Sequence, residues 1–442
     1  MILKKSIQKL FFSVLAVCIF VVPQIALSDN TPKILNLPQI IKEAIAVNTL
    51  VKSSGQETLA AGYAKKAQRT AFLPTFTASY EYKRNDEQQS DPVFGITRLE
   101  EEYDFVATVT QPVFTGFSLI NEYKLAKLNL DFAKILEKQA RLNLIFETKE
   151  AYFSLLKTQK FLAISLETVT QIKAQKNVAK NFFESGMSPY NELLEAEVEL
   201  ANAVHDVIAE KNNFRIALAN LKRLLRRSEN EDVRIADVLE YEPLAYNSEY
   251  CFDMAEKKRP EIKIADLKIK IARQELKLSQ KDFYPQISLT GNYYQRGTEY
   301  DIKGGDGISD IYLWDVTATA SWDLWAWGRT YYSSREKQSR VKASQYQSED
   351  IKDKIRFEVK EAFLRTIESE KYILTVKKAI EQAEENFRIN KERYKEQVAT
   401  STDVLNAQTL LSKTKTNYFN ALYGFHLSKA RLDKAMGQEI IQ

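Results

Sequence analysis

The sequence predicts a mixed, mainly α fold built from long helical hairpins and four β-strands. Three observations predict it. Residues 329–423 contain neither glycine nor proline, and residues 118–185 form a second such stretch. Four segments alternate apolar and polar residues with a period of two, as half-buried strands do. The same succession of elements occurs twice along the 442 residues, which indicates an internal duplication.

Each long stretch predicts a helix that turns back as a hairpin. Apolar residues recur at three- and four-residue spacing from Ile355 to Tyr394, separated by Lys, Glu, Arg and Gln. One face of the helix is therefore expected to pack on other helices. At 1.5 Å per residue, each first arm is expected to be roughly 100 Å long, which no compact domain needs. The predicted hairpins span residues 118–227 and 329–436.

Helix breakers and hydroxyl residues mark the hairpin tips. At the first tip, Ser188 is expected to be the N-cap and Pro189 the first residue of the return helix. At the second tip, Thr400 or Ser401 is expected to cap a return helix that begins at Asp403. The predicted tip residues are Gly186, Ser188, Pro189, Thr400 and Ser401.

The first 28 residues predict a targeting segment. Lysines precede an apolar run at Leu10–Val22, and residues 26–28 supply the small side chains that a signal peptidase needs. An N-terminal membrane anchor is one alternative, which Pro23 disfavours. A lipoprotein signal at Cys18 is another, disfavoured by the bulky valine before it.

Composition excludes several classes of function. The net charge of +4 shows no nucleic-acid signature, and two His and two Cys leave little material for a metal site. No nucleotide-binding loop and no nucleophile–base pair is present, so we expect neither a cofactor nor enzymatic activity. No segment after the targeting segment reaches 18 consecutive apolar residues, so we expect no transmembrane helix.

Four period-two segments predict strands at about residues 75–84, 103–113, 286–295 and 311–323. Strands of about ten residues with one apolar and one polar face are typical of membrane barrels. A soluble hairpin is the alternative for the first pair. Tyr and Trp concentrate at membrane interfaces, and all four Trp lie in or just after the last segment. The predicted interface aromatics are Tyr80, Tyr82, Tyr103, Tyr293, Trp314 and Trp322.

The two halves correspond at a constant offset. Pro74 matches Pro285, and Glu192 matches Asp403, in each case 211 residues apart. The predicted organisation is a signal peptide at 1–28, a first repeat at 29–227, a linker at 228–258 and a second repeat at 259–442.

Four strands cannot close a barrel alone, since natural membrane barrels begin at about eight strands. An open sheet in lipid would leave unpaired backbone groups, at several kcal/mol each. Two chains would supply eight strands, and such a barrel is filled by its own side chains. If the strands insert, several chains must therefore share one barrel. Three chains would supply twelve strands, and only that larger assembly leaves a lumen.

These features together resemble the TolC family of outer-membrane efflux and secretion ducts. The motifs that carry the resemblance are Gln111–Gly116 before a long helix, Arg259–Glu261 at the start of the second half, and Tyr394 followed by Thr402–Ala407 at a helical tip. The resemblance covers essentially all of the chain after the targeting segment. It implies a homotrimer with a shared barrel in the outer membrane of a Gram-negative bacterium. It also implies a helical tunnel across the periplasm, closed at the hairpin tips.

The resemblance further implies roles for individual tip residues. The acidic ring at the family's periplasmic entrance maps to Asp403, whereas Asn406 stands where the best-known member has a second acid. Asp403 also suits the first turn of its helix, and the two roles are compatible. Tyr394 matches a tyrosine of the family's gate latch, and Glu192 is the candidate acid. Ala399 replaces the latch arginine, so a Tyr394–Glu192 hydrogen bond is the expected substitute.

The function that follows is a passive exit duct for a tripartite efflux pump or type I secretion system. The expected partners are two further copies of the chain, a periplasmic adaptor at the tips, an inner-membrane transporter and outer-membrane lipid, with no nucleic acid. The cargo stays open among toxic compounds, metal ions and proteins. The alternative is a periplasmic coiled-coil adaptor or spacer, which should lack such strands and carry one hairpin.

Overall fold

The computed structural model describes residues 34–87, 89–91, 95–98, 100–238, 240–302 and 311–441, so the predicted signal peptide lies outside the described residues. In chain order the elements are β1 Ile34–Leu35, α1 Leu37–Val47, α2 Thr49–Thr70, β2 Thr75–Arg84, β3 Gln89–Asp91, β4 Gly95–Arg98, β5 Glu101–Thr115, α3 Ser118–Glu184, α4 Tyr190–Leu225, β6 Arg234–Ile235, α5 Ser248–Lys258, α6 Pro260–Ser279, a 3-10 turn at Lys281–Phe283, β7 Gln286–Gly297, β8 Ile311–Ser321, α7 Arg329–Lys395 and α8 Ser401–Ala435. Within these ranges, no helix has the combination of length and apolar character needed to cross a bilayer.

Two helical hairpins dominate the fold, as the sequence predicts. The first arms, α3 and α7, have 67 residues each, which makes each about 100 Å long. The return arms, α4 and α8, have 36 and 35 residues. The two hairpins therefore have arms of nearly equal length, as an internal duplication predicts.

The described helices pack in an arc. Towards the tips the order of packed neighbours is α4, α3, α8, α7, and towards the sheet it is α2, α3, α6, α7. First-half helices therefore lie at one end of the arc and α7 lies at the other. The cores between them include Tyr152, Leu156, Leu221 and Tyr423 in one cluster and Cys251, Val359, Leu432 and Met436 in another.

The four long strands form one antiparallel sheet in the order β2-β5-β7-β8. The register brings the apolar positions of neighbouring strands onto one face, where Ala107 pairs with Ala78 and Tyr293, and Tyr293 pairs with Trp314. β2 and β8 are the edge strands of this sheet.

The opposite face of the sheet carries a hydrogen-bonded polar row. Thr108 Oγ1 donates to Asn292 Oδ1 at 3.0 Å, and Asn292 Nδ2 donates to Asp315 Oδ1 at 3.1 Å. Arg296 and Asp104 form an ion pair at 2.6 Å on the two central strands. The sheet thus has one apolar and one polar face, as predicted.

Two strand ends differ from the prediction. The sequence predicts that the second strand ends at about residue 113, just after Pro112, but β5 continues to Thr115. Its register against β7 shifts between Pro112 and Phe114, and a bulge of this kind tolerates a residue without an N–H group. β8 ends at Ser321, so Trp322 begins the connection to α7.

A cavity of about 530 Å³ lies where α3 and α8 meet the segment that links the two halves. Lys149 Nζ and Asp433 Oδ2 are 3.4 Å apart and buried, which joins a first-half helix to a second-half helix. His426 stacks on Phe153 with ring centroids 5.1 Å apart. Burial lowers the pKa of His426 to about 4, so its imidazole is neutral at pH 7.

Replacing His426 by phenylalanine should reduce the loss of stability in acid. Between the ordinary pKa of 6.5 and the folded-state pKa of about 4, the unfolded chain binds a proton that the folded chain does not. Stability from neutral His426 is therefore present above pH 6.5 and lost as the pH falls towards 4. At pH 5 the loss is at most about 2 kcal/mol, at ~1.4 kcal/mol per pK unit. Thermal unfolding of the parent protein and the variant at pH 7.5 and pH 5 measures this loss of stability. If the unfolding temperature falls equally in both proteins between the two pH values, neutral His426 is not the cause.

Candidate gate at the hairpin tips

The first tip begins its return helix one residue later than predicted. Pro189 is the N-cap of α4, with φ −75° and ψ 154°, and makes no side-chain cap bond. Ser188 therefore lies one position too far back to cap the first amides of the helix. Its Oγ atom is buried without a hydrogen-bond partner among the described residues. Gly186 has a φ of +72°, a left-handed conformation that favours glycine.

The second tip is fixed by a capping box. Thr400, one of the two predicted capping residues, is the N-cap, and its Oγ1 accepts from the Asp403 backbone N–H at 3.2 Å. In return, Asp403 Oδ2 accepts from the Thr400 backbone N–H at 2.9 Å. The helix thus begins at Ser401 and not at Asp403. The backbone and hydroxyl hydrogen bonds from Thr400 hold the pKa of Asp403 below its usual value.

Tyr394 joins the two tips. Its hydroxyl, at the end of α7, donates to Glu192 Oε2 in the first turn of α4 at 3.2 Å. The side chain is only 3% exposed and packs on Phe182, with ring centroids 5.3 Å apart. Burial and the Glu192 carboxylate raise the pKa of Tyr394 to about 12. The hydroxyl therefore stays a donor throughout the physiological pH range.

A polar seam behind this contact was missed from the sequence. The Thr402 hydroxyl donates to Glu195, and Gln175 Nε2 donates to Ser401 Oγ at 3.3 Å. Ser401 is buried, so it does not lie on the surface of the chain where the sequence placed it as a docking residue. A first-turn serine gives no sequence signal that its side chain faces a neighbouring helix.

The remaining predicted tip residues lie on the surface. Gly186, Pro189 and Thr400 are exposed, and Ser188 is half-buried. Asp403 and Asn406 are exposed one helical turn apart on α8, so each copy presents one carboxylate there. The structure gives no group of three His, Cys, Asp or Glu residues suited to a metal ion within its described ranges.

The predicted interface aromatics lie in the sheet or, for Trp322, directly after its last strand, at the other end of the long helices. Tyr80, Tyr82, Tyr293, Trp314 and Trp322 are exposed. Tyr103 is half-buried and lies against Tyr82, with ring centroids 4.8 Å apart. The tip residues and the aromatic residues therefore lie at opposite ends of the molecule.

Two long helical hairpins that continue a four-stranded sheet define the TolC-like class of tunnel-forming channels. The sequence profile described as "Outer membrane efflux protein" matches residues 40–226 and again residues 252–438. The chain belongs to this family of outer-membrane efflux channels. The double match agrees with the internal duplication.

Known relatives resemble the chain along nearly its full length. Outer membrane protein TolC of Vibrio cholerae is 23% identical over 422 residues, which cover 91% of this chain and 90% of the relative. The Campylobacter jejuni CmeC outer membrane channel superposes with a TM-score of 0.80 at 17% identity, over 91% of this chain and 85% of the other. The open-state Neisseria gonorrhoeae MtrE outer membrane channel gives a TM-score of 0.76 at 18% identity, over 91% and 89%. These structural likenesses establish the fold.

Proposed function

We propose that three copies of this chain form a passive exit duct in the outer membrane of a Gram-negative bacterium. The duct opens at the hairpin tips on contact with a periplasmic adaptor and its inner-membrane transporter. One observation carries this proposal. Among the described residues of a single chain, the two edge strands of the sheet and the two end helices of the arc have no neighbour on their outer sides.

The sheet supports the proposal through its two free edges. β2 and β8 are 10 and 11 residues long and have no strand partner on their outer sides among the described residues. Long unpaired edges are a liability in water and cost several kcal/mol per exposed group in lipid. Pairing β8 of one copy with β2 of the next removes every edge once the ring closes. Twelve strands also leave a lumen for the polar face.

The helices support it through apolar stripes at the same two ends. α4 exposes Leu194, Val198, Ile208 and Ile216. α7 exposes Tyr346, Phe357, Leu364 and Ile389. The residues of each stripe recur at helical spacing along one face. In a ring, α4 of one copy lies beside α7 of the next, so the two stripes cover each other.

The tips supply the gate. A hydrogen bond from Tyr394 to Glu192 ties the α7–α8 hairpin to the α3–α4 hairpin, and a three-fold set of such contacts would hold the tunnel closed. Around it, Met187 and Val398 are exposed at the two turns. Exposed apolar residues at the ends of helical hairpins suit docking by the helices of an adaptor. Three copies of Asp403 would then form an acidic ring that attracts cations to the entrance.

The alternative function fits the fold less well. An adaptor or spacer predicts one hairpin and no long two-faced strands, whereas the described residues contain two hairpins and a four-stranded sheet.

Photo-crosslinking in living cells tests the proposed partners. A photoreactive phenylalanine analogue at Met187 should capture a periplasmic helical-hairpin protein, identified by mass spectrometry. The same analogue at Ile216, on the α4 stripe, should capture only further copies of this chain. If Met187 captures no other protein while Ile216 still yields trimers, the adaptor-operated duct is wrong.

A further inference from the structure

An apolar patch interrupts the polar face of the four-stranded sheet. It consists of Val106, Tyr294 and Leu313, which lie side by side on β5, β7 and β8, because the register pairs Val106 with Tyr294 and Tyr294 with Leu313. Tyr294 and Leu313 are 37% and 58% exposed. The hydrogen-bonded polar row lies two residues further along each of these strands. Adjacent strands are about 4.8 Å apart, so the apolar patch is about 10 Å wide.

The fold does not require apolar side chains at these positions. The residues 211 positions before Tyr294 and Leu313 are Lys83 and Glu102. The register pairs these two residues with each other, as it pairs Tyr294 with Leu313, and Lys83 Nζ and Glu102 Oε2 form an ion pair at 3.7 Å. The first half therefore has an ion pair where the second half has an aromatic and an aliphatic side chain. Since lumen-facing residues of membrane barrels are mostly polar and tune selectivity, this difference indicates a ligand.

A carboxylate without a cationic partner borders the apolar patch. Asp315 Oδ1 accepts a hydrogen bond from Asn292 Nδ2 at 3.1 Å, and the Tyr294 hydroxyl also hydrogen-bonds to Asp315. Both of these partners are neutral. On the same face Arg296 pairs with Asp104, whereas Asp315 forms no ion pair within the described ranges. The negative charge of Asp315 is therefore held beside the Tyr294 ring and is not neutralised there.

We propose that the apolar patch and Asp315 bind organic ammonium ions that carry an aromatic group, in the lumen of the shared barrel. The face of the Tyr294 ring attracts a quaternary ammonium, and the carboxylate supplies the opposite charge. The valine and leucine side chains cover the aromatic group of the ligand. This inference rests on the proposed function, because only a closed barrel turns the polar face into a lumen. The duct would then retain one chemical class of cargo at three equivalent sites.

Saturation-transfer NMR tests this inference with benzyltriethylammonium as the probe. The assembled protein is studied in detergent, with empty micelles as the blank, and its mass is measured on the same sample. We expect saturable transfer of magnetisation from the protein to the probe. Tetraethylammonium lacks the aromatic ring and benzenesulfonate carries the opposite charge, so each should bind at least tenfold more weakly. Equally strong binding of benzenesulfonate would overturn the assignment of a cation, and equally strong binding of tetraethylammonium would overturn the role of the apolar patch.

A double substitution that copies the first half tests the position of the site. Tyr294→Lys with Leu313→Glu places the ion pair of the first half in the second, and it should raise the apparent Kd of the probe at least tenfold. Ser288→Ala with Thr319→Ala is the matched control, because these two residues form another pair on the same strands and the same face. The control should bind the probe as the parent protein does. Unchanged binding by the Tyr294 and Leu313 double variant would overturn the proposed site.

A milder substitution tests the charge alone. Asp315→Asn keeps the size of the side chain and should weaken binding of the probe at least threefold, whereas Asp403→Asn at the hairpin tips should leave binding unchanged. Loss of binding in Asp403→Asn without loss in Asp315→Asn would overturn the inference, because the probe would then bind at the entrance. Parent trimers that give no saturable transfer would overturn the binding site and leave the duct intact. A parent protein that forms no trimers would contradict the proposed function itself.

Discussion

Replacing Ile208 and Ile216 by glutamate should abolish assembly while leaving the chain folded. Both side chains are exposed in the single chain, at 57% and 68%, so the change costs a lone copy little. In the ring, each glutamate would sit in a contact between α4 and α7. The loss of two buried apolar side chains amounts to about 3 kcal/mol or more per interface, and the buried charges add a desolvation penalty. Light scattering after size exclusion in detergent measures the mass.

A matched control separates loss of assembly from a general effect of added charge. Asn177 is exposed on α3, which packs between α4 and α8, and Asn177→Glu should assemble as the parent protein does. Circular dichroism should show unchanged helix content in all variants. A double variant that keeps the parent mass would show that this stripe does not form the contact between copies.

Replacing Tyr394 by phenylalanine should open the channel more often. The substitution keeps the ring against Phe182 but removes the hydrogen bond to Glu192. A hydrogen bond to a charged group contributes about 1.5–3 kcal/mol, so the ratio of open to closed states should rise about tenfold or more. Single-channel recordings in planar bilayers measure open probability directly.

Tyr190→Phe is the matched control for the gate. Tyr190 lies at the same tip and its ring packs at a tilt against Phe183, with centroids 5.0 Å apart. Its hydroxyl has no hydrogen-bond partner in the described part of the chain. This substitution should leave gating unchanged. If Tyr394→Phe and Tyr190→Phe both conduct as the parent protein does, Tyr394 is a packing residue and not a latch.

Features set by local sequence were predicted well. The long stretches without glycine or proline predict the extent of α3 and α7. The strict alternation of apolar and polar residues predicts which side chains of β2 share a face, because a one-residue slip would reverse its faces. The capping role of Thr400 follows from its hydroxyl and from the acid three residues on. The Tyr394–Glu192 pairing came from the family resemblance, since 202 residues separate the two in sequence.

Features set by neighbouring elements were not predictable. Pro112 stays in β5 because the pairing with β7 shifts register around it, and no property of β5 alone reveals that shift. At the first tip the N-cap is Pro189 and not Ser188, a shift of one position that lies within the usual uncertainty of helix ends. The burial of Ser401 depends on Gln175, which lies on a helix of the other hairpin.

Conductance of the purified protein in a planar bilayer, with cross-linking to count subunits, tests the central claim most directly. A gated duct predicts a trimer with a small, mostly closed, cation-preferring conductance, and Asp403→Asn should weaken the cation preference. A protein that stays in solution without detergent and never conducts would contradict the shared membrane sheet and would assign the hairpins to an adaptor role.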